Sequence, residues 1–249
     1  MKKTSTAPSA IRIVALNDGP YLLYGAPPML QQFIMVDTLD ECWYYQAGRS
    51  FSTASDPTRL CRCGASEHKP YCDNTHAKIR WDNELTAPMD KILDDVVVVE
   101  GDGVILADNE KYCAYARFCH PKGGTWRLTQ ESADPASRDL AIRQSQLCPG
   151  SRLTHIDTIS GMPHELDFAP SIGLLEDPQL GVSAGLWVRG GVAIQREDGA
   201  EYELRNRVVL CRCGASHNKP YCDGSHASIK WRDDLEGEPT GETVPETVY

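Results

Sequence analysis

The strongest constraint on this chain is a duplicated stretch. Residues 60–81 and 210–231 align at an offset of 150, with 16 of 22 positions identical. Each copy holds three cysteines and a histidine: Cys61, Cys63, Cys72 and His76, then Cys211, Cys213, Cys222 and His226. A repeated unit that cannot bury its own apolar face packs against its twin, so the repeat limits the architecture before any single element does. The likeness reaches upstream, where GPYLLYG (19–25) resembles GLWVRG (185–190). The expected organisation is a first unit over residues 10–85 and a second over 180–235. A different segment, 92–165, lies between them, and an acidic tail, 236–249, is too poor in core formers to hold a fixed structure.

Both units read as β-rich. IRIVAL, YLLY, LWVR, VAIQ and RVVL are short β-branched and aromatic runs bounded by turn formers. The cysteine stretches are too rich in Gly, Ser, Pro and Asp to be strands. They read as loops ending in a short helix near Asp73 or Asp223, whose carboxylate can accept from exposed amides. In the middle, VVVVEGDGVIL predicts a hairpin with a Gly-Asp-Gly turn. NEKYCAYARFC and SRDLAIRQSQLC predict two helices, the second stopped by Pro149. The fold class expected is α+β, rich in strand.

Ten cysteines in a secreted chain would suggest a disulfide frame. Here the N-terminal stretch has two lysines but no uninterrupted apolar run. The longest apolar run, Val96 to Val99, is too short to cross a bilayer. Thiols clustered with histidine in a reducing compartment point instead to metal ligation, and to a cytoplasmic protein without a membrane anchor. A net charge of -10 with no basic run argues against nucleic acid or an anionic membrane as partner. No nucleophile elbow, P-loop or dinucleotide fingerprint occurs, so a catalytic role is not expected.

Within each copy the ligands fall into pairs. Cys61 and Cys63 are two residues apart on a loop. Cys72 and His76 are four apart and share a face of a helical turn. A Cys3His zinc site uses the same donors, but usually at wider spacing between paired ligands. CRCGASHNKPYCDGSH (211–226) resembles the signature of the CDGSH iron–sulfur domain family, the mitoNEET-like proteins. It matches at Cys211, Cys213, Ser216, Pro220, Cys222, Asp223, Gly224, Ser225 and His226. The first copy departs at one position, where Asn74 stands for the glycine. Asn is the next most tolerant residue of positive φ.

The resemblance implies a 2Fe-2S cluster per motif, with Cys61 and Cys63 on the inner iron and Cys72 and His76 on the outer one. Cys211, Cys213, Cys222 and His226 repeat the arrangement. It also implies a small β-cap fold for each unit and a pairing of two units. With both on one chain, the expectation is a monomer with an internal pseudo-two-fold. An imidazole in place of a thiolate removes a negative charge and raises the reduction potential.

Cys113, Cys119 and Cys148-Pro149 resemble the divergent single-cluster ferredoxins, with Ala116 where a further ligand would stand. Three thiolates suit a 3Fe-4S cluster. A 4Fe-4S cluster with a non-cysteine ligand and three ordinary buried thiols are the alternatives. Cys42 reads as a core residue, and His68 and His217 as surface residues. His120 is expected to point away from the cysteines. The function expected is electron transfer with an unidentified redox partner. The alternatives are an iron–sulfur carrier that donates clusters to apo-proteins, or a structural zinc module.

Overall fold

The computed structural model describes residues 11–241. Its strands interleave the two halves of the chain. The first unit contributes β1 (Arg12–Ala15), β2 (Tyr21–Tyr24), β3 (Met29–Val36), β4 (Cys42–Phe51) and β5 (Thr58–Leu60). The middle contributes β6 (Val97–Glu100), β7 (Val104–Asp108), α1 (Thr125–Gln130), α2 (Pro135–Gln146) and β8 (Leu153–Asp157). The second unit contributes β9 (Ser171–Asp177), β10 (Val182–Arg189), β11 (Ala193–Arg196), β12 (Arg207–Leu210) and α3 (Ser225–Ser228).

Each unit donates one strand to the other. One sheet has the order β11-β1-β2-β5 and another the order β12-β10-β9-β3-β4. β11 lies parallel to β1, with Ile194 opposite Ile13, and β3 lies parallel to β9, with Met29 opposite Ile172. The relation is a pseudo-two-fold: β1, β2, β3 and β5 occupy the places of β9, β10, β11 and β12. β2 pairs with β5 through Tyr21 and Leu60, and β10 with β12 through Leu186 and Leu210. The β-rich α+β fold expected from the sequence is therefore present, with exchanged strands binding the halves together.

Apolar residues of both units fill one core, with Ile13, Tyr21, Leu23 and Leu60 packed among Ile172, Leu186, Ile194 and Leu210. Each fully buried aliphatic side chain contributes about 2 kcal/mol of transfer free energy. Separating the units would expose this shared surface, so neither half holds a complete core of its own.

The middle segment forms a third sheet, β6-β7-β8, backed by α1 and α2. The expected hairpin is β6 and β7, joined through Gly103 at φ 76°. The second expected helix is α2; it starts behind the Asp134 cap, whose carboxylate accepts from the Ser137 amide, and ends at Gln146, before Pro149. The first is corrected. Residues 110–112 make one 3-10 turn, and the chain from Cys113 onward is irregular, with Tyr115 at φ 55° and Arg117 at φ 64°. Positive φ at bulky residues is incompatible with a right-handed helix.

Two boundaries also move. β9 precedes residue 180 yet belongs to the second unit's sheet, because it pairs with β10. At the other end, residues 236–241 run past β3 and β4: the Thr240 amide donates to the Ala47 carbonyl at 2.8 Å. The rest of the expected tail, 242–249, lies outside the described residues. No helix among the described residues is long and apolar enough to cross a membrane.

Candidate metal centres

The two ligand pairs of each motif are separated in sequence and joined by one β-bridge. Leu60 bridges to Tyr71, and Leu210 to Tyr221. The Cys61 amide donates to Pro70 and the Cys72 amide to Arg59; Cys211 and Cys222 repeat this with Pro220 and Val209, all at 2.8–2.9 Å. The bridge thus carries the Cys-x-Cys loop back beside the Cys-x3-His turn. Ser66 and Ser216 hold the loop closed, each donating to the carbonyl of the tyrosine at 2.7 Å.

The final turn follows the expectation. Asn74 at φ 68° and Gly224 at φ 85° are left-handed in matching positions. The Asp73 carboxylate accepts from the amides of Thr75 and Glu67, and Asp223 from those of Ser225 and His217. These bonds hold both carboxyls below the ordinary range, Asp223 against the effect of its burial. His68 and His217 are surface residues, 77% and 88% exposed, and each leans on the motif aspartate.

Within each copy the donors are spaced as ligands are. Cys61 and Cys63 sulfurs lie 3.8 Å apart, as do those of Cys211 and Cys213. Two thiolates on one tetrahedral ion, with bonds of about 2.3 Å, sit about 3.8 Å apart. Cys72 Sγ lies 3.5 Å from His76 Nδ1, and Cys222 Sγ lies 3.4 Å from His226 Nδ1. A thiolate and an imidazole on one such ion sit about 3.5 Å apart. Each pair therefore fits one metal ion. Among the described residues no three His, Cys, Asp or Glu side chains converge as a single-ion site requires.

The electrostatics prepare the pairs unequally. The hydrogen bond with Cys63, together with nearby backbone amides, lowers the Cys61 pKa to about 6. Cys211 is lowered to about 7 in the same way by Cys213. Burial lowers His226 to about 4, helped by Arg212, which keeps its imidazole neutral and available as a ligand.

Residues between the ligands also repeat, with a role that the sequence analysis missed. Arg62 and Arg212 are buried, and their guanidinium groups lie over Trp81 and Trp231 at 4.5 and 5.2 Å. Arg62 donates to the carbonyls of Leu16, Asn17, Gly19 and Asn83. Arg212 donates to the carbonyls of Leu175 and Ala184 and pairs with Glu176 and Asp233. The identity of Trp81 and Trp231 was the available signal. The two loops also meet. A methyl placed at Gly64 would lie 2.3 Å from the Cys213 carbonyl oxygen, and one at Gly214 would lie 2.3 Å from that of Cys63.

The three middle cysteines are brought together. Cys113, Cys119 and Cys148 line one small cavity, with Ala116 and Arg152 in its wall. Burial and the other two thiols raise Cys119 to about 12. Arg152 is held by Asp108 through two hydrogen bonds, at 2.7 and 3.0 Å, and buried Arg207 donates to the Cys148 carbonyl at 2.8 Å. Each guanidinium is itself paired, Arg152 with Asp108 and Arg207 with Glu165. Arg117 ties the loop to β9 through Asp177 at 2.6 and 2.7 Å. His120 faces a separate surface hollow beside Cys42. Cys42 is buried in the core, where burial raises its thiol to about 11.

The middle cavity adjoins the second motif. A methyl at Gly224 would lie 3.1 Å from the Cys113 carbonyl oxygen and 3.3 Å from Tyr115 Cβ. Searches of curated proteins and of solved structures returned no match. The family model described as iron-binding zinc finger, CDGSH type, matches residues 18–77 and 184–227 and leaves the segment between them unmatched. Two stretches of this chain, in tandem, are thus similar to the CDGSH-type model.

Proposed function

We propose that this protein transfers electrons, holding a 2Fe-2S cluster at each CDGSH motif and a 3Fe-4S cluster at Cys113, Cys119 and Cys148. The observation that carries the reading is the pairing of the donors. Each motif offers two ligand pairs spaced for one ion apiece, which suits a binuclear centre better than a single zinc ion. Contact between the middle segment and the second motif supports electron transfer, because it sets two centres against each other in one fold.

The clusters would supply one-electron chemistry, and the chain supplies the rest. Cys61 and Cys211 bind as ready thiolates, stabilised by their partner thiols and by backbone amides. Asp73 and Asp223 fix the turns that aim His76 and His226. Arg152, paired with Asp108, and Arg207, paired with Glu165 and bonded to the Cys148 carbonyl, brace the chain around the middle thiolates.

The test is electron paramagnetic resonance with iron and acid-labile sulfide analysis on anaerobically purified protein. Iron and sulfide accounting for two binuclear clusters and one trinuclear cluster is the expected result. Stoichiometric zinc without sulfide would overturn it. The partly open outer pair of the first motif favours a second reading, a carrier that donates clusters. In that case apo-ferredoxin would strip the clusters in minutes, whereas an electron carrier keeps them through repeated redox cycles.

A further inference from the structure

The two motifs match in sequence and differ in surroundings. Cys211, Cys213, Cys222 and His226 are all buried, at 0, 8, 3 and 3% exposure. In the first copy only Cys61 is buried; Cys63, Cys72 and His76 are partly open, and Asn74 is exposed. The cause lies in the middle segment. Cys113 and Tyr115 lie against Gly224, at the start of the turn that carries His226, close enough that a side chain there would crowd them. Asn74 holds the same left-handed conformation with its side chain in the open, hydrogen-bonded to Arg59 at 2.7 Å. The departure from the family signature thus falls at the copy that, among the described residues, is more open.

Backbone contacts run between the three centres. Gly64 rests on Cys213 and Gly214 on Cys63, which joins the two motifs through their inner cysteines. Gly224, two residues after Cys222, rests on Cys113. The order along this path is first motif, second motif, middle cavity.

We propose that the two CDGSH centres have different duties. The first is the port at which a redox protein exchanges one electron, and the second is an internal relay between the port and the three-cysteine cavity. In the outward direction a reduced centre gives up one electron at the port, and the partner protein is reduced by that electron. The assignment rests on the iron–sulfur reading above, and its test separates the two.

Hydroxyl-radical footprinting of the intact holoprotein, read by peptide mass spectrometry, labels ring carbons that metal ligation leaves free and so measures solvent access to each histidine. His76 is expected to label at least tenfold faster than His226, with exposed His68 and His217 as internal references. Tyr115→Ala is expected to raise labelling of His226 severalfold and leave His76 unchanged, while Tyr115→Phe behaves as wild type. Equal rates at His76 and His226, or no response of His226 to Tyr115→Ala, would overturn the proposal. Oxidation of the reduced protein by ferricytochrome c then tests the duty. Cys61→Ser/Cys63→Ser should slow it tenfold or more, and Cys211→Ser/Cys213→Ser should leave a fast one-electron phase. Equal rates in the two variants overturn the port. If one variant does not fold, cross-linking wild-type protein to cytochrome c decides: adducts at Lys78 support the port, and adducts only near Lys230 reject it. A preparation without iron and sulfide would sink the iron–sulfur reading, while the labelling ratio would still report the difference in burial.

Discussion

Gly64→Ala tests the packing of one metal loop on the other. The new methyl would lie 2.3 Å from the Cys213 carbonyl oxygen and 2.6 Å from its carbon, whereas ordinary contact begins near 3.4 Å. The backbone must therefore give by about 1 Å, and both neighbours are main-chain atoms with no rotamer to yield. Overpacking of this kind costs about 1–3 kcal/mol. Holding alanine at φ +78° adds about 1 kcal/mol. The total, about 2–4 kcal/mol, corresponds to a fall of roughly 5–15 °C in the apparent melting temperature of a chain this size. Gly199→Ala is the control, since Gly199 has φ +87° with nothing within 4 Å. It should lose only the conformational part, about 1 kcal/mol. Melting followed by circular dichroism, with iron content measured on the same samples, checks both variants. Because the clash falls on Cys213, Gly64→Ala should lower iron at the second motif as well as at its own. Equal melting of the two variants, with the second motif fully loaded, would refute the reciprocal packing.

Four further outcomes follow from particular side chains. Arg212→Ala should destabilise the fold by about 3–5 kcal/mol in denaturant titration, because it strands Glu176 and Asp233 in the interior. Arg62→Ala should cost less, because Arg62 donates to the carbonyls of Leu16, Asn17, Gly19 and Asn83 and its loss strands no buried carboxylate. His155 is fully buried between Thr129 and Ser145, and burial lowers its pKa to about 4. Below pH 6.5 the unfolded chain takes up a proton that the folded chain refuses down to about pH 4. Stability should fall through that window by up to about 3 kcal/mol, and the difference between wild type and His155→Gln measures it. Ala116→Cys puts a fourth thiol in the wall of the middle cavity, and should convert a three-iron resonance signal to that of a four-iron cluster.

The pairing of the Cys and His side chains was legible because short-range spacing decides it. Cys61 with Cys63, and Cys72 with His76, are close along the chain in any loop-and-turn conformation, and the structure pairs them. The left-handed turn at Asn74 was legible for a similar reason, since local sterics leave few residues able to adopt it. The exchanged strands were not. IRIVAL and VAIQ read as strands from their own composition, but their parallel pairing is a choice among long-range partners that no local pattern encodes. The loop from Cys113 misled because Tyr112, Ala116 and Cys119 recur at helical spacing, while Tyr115 and Arg117 sit at positive φ under tertiary constraint. No local pattern marks Arg62 and Arg212 as buried; only the folded chain shows their guanidinium groups stacked on Trp81 and Trp231.

A single chain also permits what a symmetric pair of identical chains would not. In an assembly of identical units every substitution appears at both sites, so the two centres stay alike. Here each position is free to differ. Tyr21 occupies the place that Leu186 holds in the other unit, and its hydroxyl donates to the carbonyls of Cys211 and Pro220 at 2.9 and 3.1 Å. The second loop is thus braced by the first unit through a group that Leu186 cannot offer in return. Lys219 is buried and its ammonium group meets Asp82 at 2.9 Å, whereas Lys69 is partly open. The segment between the units then covers the second turn at Gly224. Each difference shields the second centre, and the open face is left to the first. Duplication followed by one-sided covering is therefore enough to leave one copy of the motif partly open and the other buried, without altering a single cysteine or histidine.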